Sequence, residues 1–331
     1  MSIYAELPKP FFILAPMDDV TDTVFRRMIG QCAAPDLFVT EFVNVDGVQS
    51  AGRPNVIKRL KTSDNSTEKP LIAQLWGLNP DKFRQTAQEI ADGEFGEYAG
   101  IDLNMGCPIR TIISNGACSA LMNDHELAVK IIKATQEGAG GKLPVSVKTR
   151  LGFNEIDLDW HELLLQQNLA ALIVHGRTRK DMSKSAADWE TIGKIRELRD
   201  KIAPETMIIG NGDVMNRQQG EELAAKYQLD GIMVGRGIFH DPFLFDPTSP
   251  WESCTREQKL ELYSKHVKLF TETWEEGERA IHTLNKFCKI YINGFDGAKE
   301  LRERLMKADS AEKLQALLVE AQKQPFKITA T

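Results

Sequence analysis

Cys107 stands in the stretch GIDLNMGCP, between Gly106 and Pro108, where an apolar run gives way to a loop. Thiols that serve only as small hydrophobes usually sit inside elements. One held between a glycine and a proline at a strand mouth is placed for use. A free thiol titrates at about 8.5, so at neutral pH it keeps its proton and can give it away. No histidine adjoins it in the sequence, which favours a general acid over half of a nucleophile pair. Cys118, among the small residues of NGACSALM, is expected to pack, as are Cys32, Cys254 and Cys288.

A second constellation lies further along. GNGD (210–213) and VGRG (234–237) put Asn211, Gly212, Asp213, Gly235 and Arg236 at the ends of two apolar runs. Glycine lets backbone N–H groups approach an anion, and an arginine adds a charge-assisted fork, so these loops predict a phosphate-bearing ligand. Lys148 and His175 end two other runs and offer donors, while Gln74 offers an amide that both donates and accepts. An amide can read the uracil-like edge of an isoalloxazine, and a lysine can stabilise negative charge on a reduced flavin. Flavin mononucleotide is therefore a reasonable occupant, although composition alone does not separate it from a sugar phosphate. No zinc, haem or iron–sulfur spacing is present, so no metal is expected.

All these residues end short apolar runs, which locates the elements that must carry them. Candidate strands cover 11–16, 37–40, 70–76, 100–105, 145–150, 171–176, 207–212 and 231–237, separated by amphipathic stretches such as 81–93, 125–138 and 217–228. Eight strands, most followed by a helix, predict a (β/α)8 TIM barrel, whose chemistry gathers at the C-terminal strand ends. Asp18, Asn104, Arg150 and Arg177 share that position. An open doubly wound sheet would want a glycine-rich fingerprint after the first strand, and LAPMDDVTD is not one. After the Pro- and Ser-rich stretch 240–254 only helical patterns remain, which divides the chain into a catalytic barrel over 1–245 and an all-helical domain over 246–331. The 331 residues, 42% hydrophobic and 27% charged, are of ordinary globular composition. Five cysteines without paired spacing argue against a disulfide framework. With no signal peptide or membrane-spanning run, a cytoplasmic protein is expected.

The stretches LAPMDDVTD, IAQLWG, GIDLNMGCP, NGACSALM, VSVKTRLG, VHGRT, GNGDV and VGRGIF closely resemble the tRNA-dihydrouridine synthases. The tail KFCKIYINGFDGAKELRERLMKADSAEKLQALL resembles the helical domain of that family. The resemblance implies an FMN-containing TIM barrel that reduces uridine to dihydrouridine in tRNA, with NADPH as reductant. It implies flavin contacts for Pro16, Met17, Asp18, Gln74, Lys148, Asn211, Gly212, Asp213, Gly235 and Arg236, and makes Cys107 the acid that protonates C5 as hydride reaches C6. Asn104, Arg150, His175 and Arg177 would line the flavin or the target base. The loop RKDMSKSAADW (179–189) departs from the family in lacking a glycine and a tyrosine.

A net charge of −6 gives no general sign of a nucleic-acid partner. Locally the balance reverses: residues 279–307 hold seven Lys and Arg against three Asp and Glu, or +4. Such a tail can hold tRNA phosphates, with Lys286, Lys289 and Arg302 as candidates. The competing readings are a flavin-dependent dihydropyrimidine or dihydroorotate-type oxidoreductase acting on a free base, for which the helical tail has no use, and a tRNA-binding protein that has lost catalysis, against which the intact GCP and Lys148 count.

Overall fold

The computed structural model describes residues 2–63 and 66–323. The last eight residues of the expected helical domain, 324–331, lie outside them. Eight parallel strands form one ring: β1 (Phe11–Leu14), β2 (Leu37–Val39), β3 (Leu71–Trp76), β4 (Gly100–Asn104), β5 (Val145–Arg150), β6 (Ala171–His175), β7 (Met207–Asn211) and β8 (Gly231–Val234). Each pairs with the next, and β8 pairs back onto β1, so no edge is left open. The expected strand starts hold to within one residue. The β8 ladder ends at Val234, because Arg236–Phe239 turn into a 3₁₀ helix.

Helices α1 (Thr23–Ala33), α2 (Pro80–Ala91), α3 (His125–Ala139), α4 (Leu158–Leu165), α5 (Trp189–Ile202) and α6 (Arg217–Tyr227) cover the ring. Each starts on an Asp or Asn side chain that accepts a backbone N–H of its first turn, which stops the loop running on as helix. After β2 come a two-residue strand, Val43–Asn44, that pairs with Leu75 and Trp76 of β3, and short helical turns (Val45–Val48, Arg53–Val56 and Ile57–Leu60).

Strand alternation sends Phe12, Leu14, Ala73, Leu75, Ile101 and Leu103 out against the helices. Phe11, Ile13, Ile72, Ile173, Ile209 and Met233 point into the ring, where Tyr4 packs with them. That interior is not uniformly apolar. Gln74, Asp102 and Ser146 are fully or almost fully buried register partners on β3, β4 and β5. Two inward positions further along, Arg150, His175 and Asn211 are register partners on β5, β6 and β7.

The tail is helical throughout its described length: α7 (Arg256–Thr273), α8 (Ile281–Asn285), α9 (Cys288–Tyr291), α10 (Ala298–Met306) and α11 (Ala311–Lys323). It shares one continuous apolar core with the barrel. Phe25 of α1 packs on Phe287, ring centroids 5.0 Å apart, and on His266 of α7 at 6.1 Å. Above this contact Arg279 spans Glu41, with both N–O distances 3.0 Å, and its Nε lies 3.2 Å from Asp22. No helix among the described residues is long and apolar enough to cross a membrane.

Candidate active site

A cavity of about 470 Å³ opens at the C-terminal mouth of the ring, within the usual range for a small-molecule site. Pro16, Met17, Lys148, Arg150, His175, Arg177, Asn211, Gly212, Asp213, Gly235 and Arg236 line it, so eleven of the expected residues converge there. Gly237 of the VGRG loop also lines it, as do Ala15, Ser183, Val214, Met215, Met233 and His240, which the sequence reading did not single out. Ser183 arrives on the loop that departs from the family pattern.

Lys148 is the group with most at stake. Among the described residues its side chain makes no hydrogen bond or ion pair. Burial, with Arg150 adding repulsion, pulls it down to about 8 despite the opposing charge of Asp102. A half-buried ammonium without a partner is costly unless something anionic or hydrogen-bonding meets it. Arg236 and Gly235 provide the second anchor. Among the described residues nothing accepts their backbone N–H groups, and the Arg236 side chain is 60% exposed, with one loose 3.5 Å contact to Asp213. Gly212, at φ +141°, cannot be replaced freely, since an added Cβ would lie 2.6 Å from that of Ala187. The donor set thus fits a phosphate at the 212 and 235 loops with a delocalised anionic group over Lys148, the requirements of FMN.

Other charged residues on this wall are committed to the protein. Arg177 gives Nε to the Ser185 carbonyl at 2.7 Å and Nη2 to Asp213, while its Nη1 lies 3.3 Å from His175 Nε2. Burial and the surrounding Lys148, Arg150, Arg177 and Arg236 keep His175 neutral. A guanidinium can only donate, so Nε2 accepts and the ring proton sits on Nδ1. Burial works against the Asp213 charge, but hydrogen bonds from Arg177 and the Ala187 N–H outweigh it and hold the carboxyl below its usual range. Arg150 donates to the Gly106 carbonyl at 2.7 Å and to those of Thr178 and Met182 at 3.2 Å, clamping the cysteine loop to the loop after β6.

Gln74, Asn104 and Cys107 stand on the opposite side of the mouth rather than in the cavity wall. Gln74 Nε2 donates to Asp102 at 2.6 Å, and its Oε1 accepts from Asn104 Nδ2 at 3.1 Å. Asn104 Oδ1 in turn accepts the N–H groups of Gly106 and Cys107 at 3.1 and 3.0 Å. The other Asp102 oxygen accepts from Ser146 Oγ at 2.6 Å, and Tyr4 lies 3.0 Å beyond. A carboxylate only accepts, so Asp102 fixes which end of each amide faces which neighbour, down to the cysteine loop. Asp102 and Ser146 were legible in principle as polar residues at inward positions of the apolar runs GIDLN and VSVKTR.

Asp18 lies off the cavity wall, 3.3 Å from Arg59. Of the expected tail residues, Lys286 donates to the Asp19 carbonyl and Arg302 to that of Ile292 at 2.6 Å, whereas Lys289 is exposed and outside every ion pair among the described residues.

The family model for dihydrouridine synthase matches residues 13–327. This chain belongs to the dihydrouridine synthase family. It is 45% identical over 326 residues to a probable tRNA-dihydrouridine synthase of Staphylococcus aureus strain MRSA252, covering 98% of this chain and 96% of that one. It is also 44% identical to the probable tRNA-dihydrouridine synthase 2 of Bacillus subtilis strain 168, covering 96% and 95%. Two solved structures share the barrel fold. Morphinone reductase matches with a TM-score of 0.50 and 12% identity over 71% of this chain and 84% of that one. A complex of 2-naphthoyl-CoA reductase matches with a TM-score of 0.55 and 11% identity over 74% and 50%.

Proposed function

We propose that this chain reduces uridines of tRNA to 5,6-dihydrouridine with bound FMN, and that NADPH restores the flavin. The observation that carries the flavin reading is the unpartnered Lys148 ammonium in a cavity whose far end is lined by the Gly212 and Gly235 loops. Pro16, Met17, Lys148, His175, Asn211, Gly212, Gly235 and Arg236 would hold the cofactor, Asp213 would orient Arg177 and Arg236, and Gln74 would face the flavin from across the mouth. When bound, reduced FMN supplies the hydride for C6 of the base.

The remaining steps belong to the chain. Cys107, 8% exposed at the rim, gives its proton to C5, so the double bond gains one hydride and one proton. Arg150 and Asn104 hold the loop that aims the thiol. The target base must leave the stack of a folded RNA to reach this mouth, which costs a few kcal/mol. We assign the compensating grip to the helical tail, residues 246–331, with Lys286, Lys289 and Arg302 near its phosphates.

Purified protein with NADPH and undermodified tRNA tests the reading, with dihydrouridine mapped by position. Formation of dihydrouridine in tRNA but not in free uridine or uracil is the expected result. Equal turnover of the free base would replace this reading with a small-molecule reductase, and a colourless protein that binds tRNA without modifying it would remove catalysis.

A further inference from the structure

Asp102 is 2% exposed and lies off the cavity wall, yet it heads a chain of hydrogen bonds that ends at Cys107. Gln74, Asp102 and Ser146 are register partners on β3, β4 and β5, which brings their side chains together inside the ring. Asp102 accepts from Gln74 Nε2 and from Ser146 Oγ, both at 2.6 Å. Gln74 Oε1 then accepts from Asn104 Nδ2 at 3.1 Å, and Asn104 Oδ1 accepts the N–H groups of Gly106 and Cys107 at 3.1 and 3.0 Å. Both ends of this chain dictate the same direction. A carboxylate only accepts and a backbone N–H only donates, so neither amide can turn over without setting donor against donor or oxygen against oxygen. Gln74 and Asn104 are both buried, and bulk water cannot repair such a mismatch.

We propose that Asp102 is a positioning residue for the reduction, acting through Gln74 and Asn104 to fix the loop that carries Cys107 and the amide that faces the flavin. The inference rests on the reading of Cys107 as the proton source and of Gln74 as a flavin neighbour. With one Nε2 hydrogen committed to Asp102 and one Oε1 lone pair to Asn104, Gln74 keeps one donor and one acceptor. Their directions are set from inside the barrel before any ligand arrives. The thiol must reach C5 as hydride reaches C6, and a misplacement of 1 Å can cost about a hundredfold in rate. What the chain needs at position 102 is an acceptor, and the negative charge is incidental to it. Asparagine can supply that acceptor. Its Oδ1 would take Gln74 Nε2, and its Nδ2 would donate to Ser146 Oγ, whose hydroxyl can then donate to Tyr4 at 3.0 Å. Leucine, of similar size, offers no acceptor.

The test compares Asp102→Leu, Asp102→Asn and Gln74→Leu with the native protein as purified. Two quantities are measured: amide hydrogen exchange at Gly106 and Cys107 without tRNA, read by NMR, and kcat and KM for dihydrouridine formation in tRNA. Asp102→Leu should lose protection at the two amides and lower kcat by about ten- to a hundredfold, with KM for tRNA unchanged because the RNA is gripped elsewhere. Gln74→Leu cuts the same chain while leaving the carboxylate in place. It should reproduce the faster exchange, and it carries the test if Asp102→Leu fails to fold. Asp102→Asn should keep the native exchange rates and kcat. Native-like exchange in Asp102→Leu or Gln74→Leu overturns the proposal. So does an Asp102→Asn variant that falls with Asp102→Leu, since charge would then be the active feature. Faster exchange with kcat unmoved also overturns it, because the placement of the loop would not matter to the reaction. A native protein that forms no dihydrouridine in tRNA sinks the reading beneath the proposal, whereas the exchange rates need no tRNA and judge Asp102 by themselves.

Discussion

At the scale of single residues, Cys107 and Asp102 make opposite demands on protons. Cys107→Ala removes the acid but none of the groups assigned to the cofactor. The variant is expected to purify yellow and accept electrons from NADPH, with dihydrouridine formation down about 10²–10⁴-fold. Unaltered tRNA turnover would take Cys107 out of the mechanism. Asp102 is raised to about 6 by burial, against the hydrogen bonds from Ser146 and Gln74. Its folded pKa therefore exceeds its unfolded one, and between about pH 4 and 6 the folded state binds the extra proton. This group's contribution to stability thus falls as pH rises through that window, by roughly 3 kcal/mol in all. Asp102→Asn should gain stability relative to the native chain over the same interval, as read by urea unfolding at its two ends. A stability difference independent of pH would mean that Asp102 does not titrate there. The sequence marked Cys107 through its glycine and proline neighbours. Asp102 drew no reading of its own, because its partners Gln74 and Ser146 come from neighbouring strands and register decides those.

At the scale of elements, the period-two alternation and the polar strand ends were readable because a strand emptying into a loop must change chemistry at that point. The loop path was not. Nothing local told Ser183, Met215 or His240 to turn toward the mouth, since a 3₁₀ turn after β8 and the Arg150 clamp on the loop after β6 decide it. The β7 and β8 loops yield a prediction of their own. Arg236→Ala deletes a charged donor worth roughly 1.5–3 kcal/mol, so FMN should bind about ten- to a hundredfold more weakly in a fluorescence-quenching titration of the apo-protein. An unchanged dissociation constant would move the phosphate elsewhere.

At the scale of the molecule, the alternation of strands and helices suggested a barrel and the pattern change after 240–254 a second domain, and the packing joins them in one core. A chain ending near Thr248 would bare the Phe25 face of α1 and strand Glu41, which is fully buried, without its cation. It should fail to fold rather than survive as a flavin-binding barrel. Arg279→Ala should cost about 3–5 kcal/mol, seen as a lower Tm, because it leaves that carboxylate unpaired, and Glu41→Gln in the same chain should recover part of the loss. No recovery would remove the pair from the joint. Arg279 counts toward the basic cluster in the sequence, yet its charge is spent inside, and Arg304 is paired with Glu320 at 2.5 Å. Lys286, Lys289 and Arg302, joined by the exposed Lys299 and Lys307, are the cations left to meet phosphates. Reversing them should flatten the salt dependence of tRNA affinity by roughly one unit of slope per lost phosphate contact. Gel shifts across salt concentrations that show the same slope would place the RNA surface elsewhere.

The Arg279 joint also limits how such an enzyme can be rebuilt. A tail transplanted from a relative to alter which uridine is presented would arrive without its own Asp22, Glu41 and Phe25 counterparts. The smallest portable unit is therefore the tail together with α1 and the loop carrying Glu41. Exchanges that respect this seam should give chimaeras whose RNA preference follows the tail, while exchanges cut at the apparent linker should yield inclusion bodies.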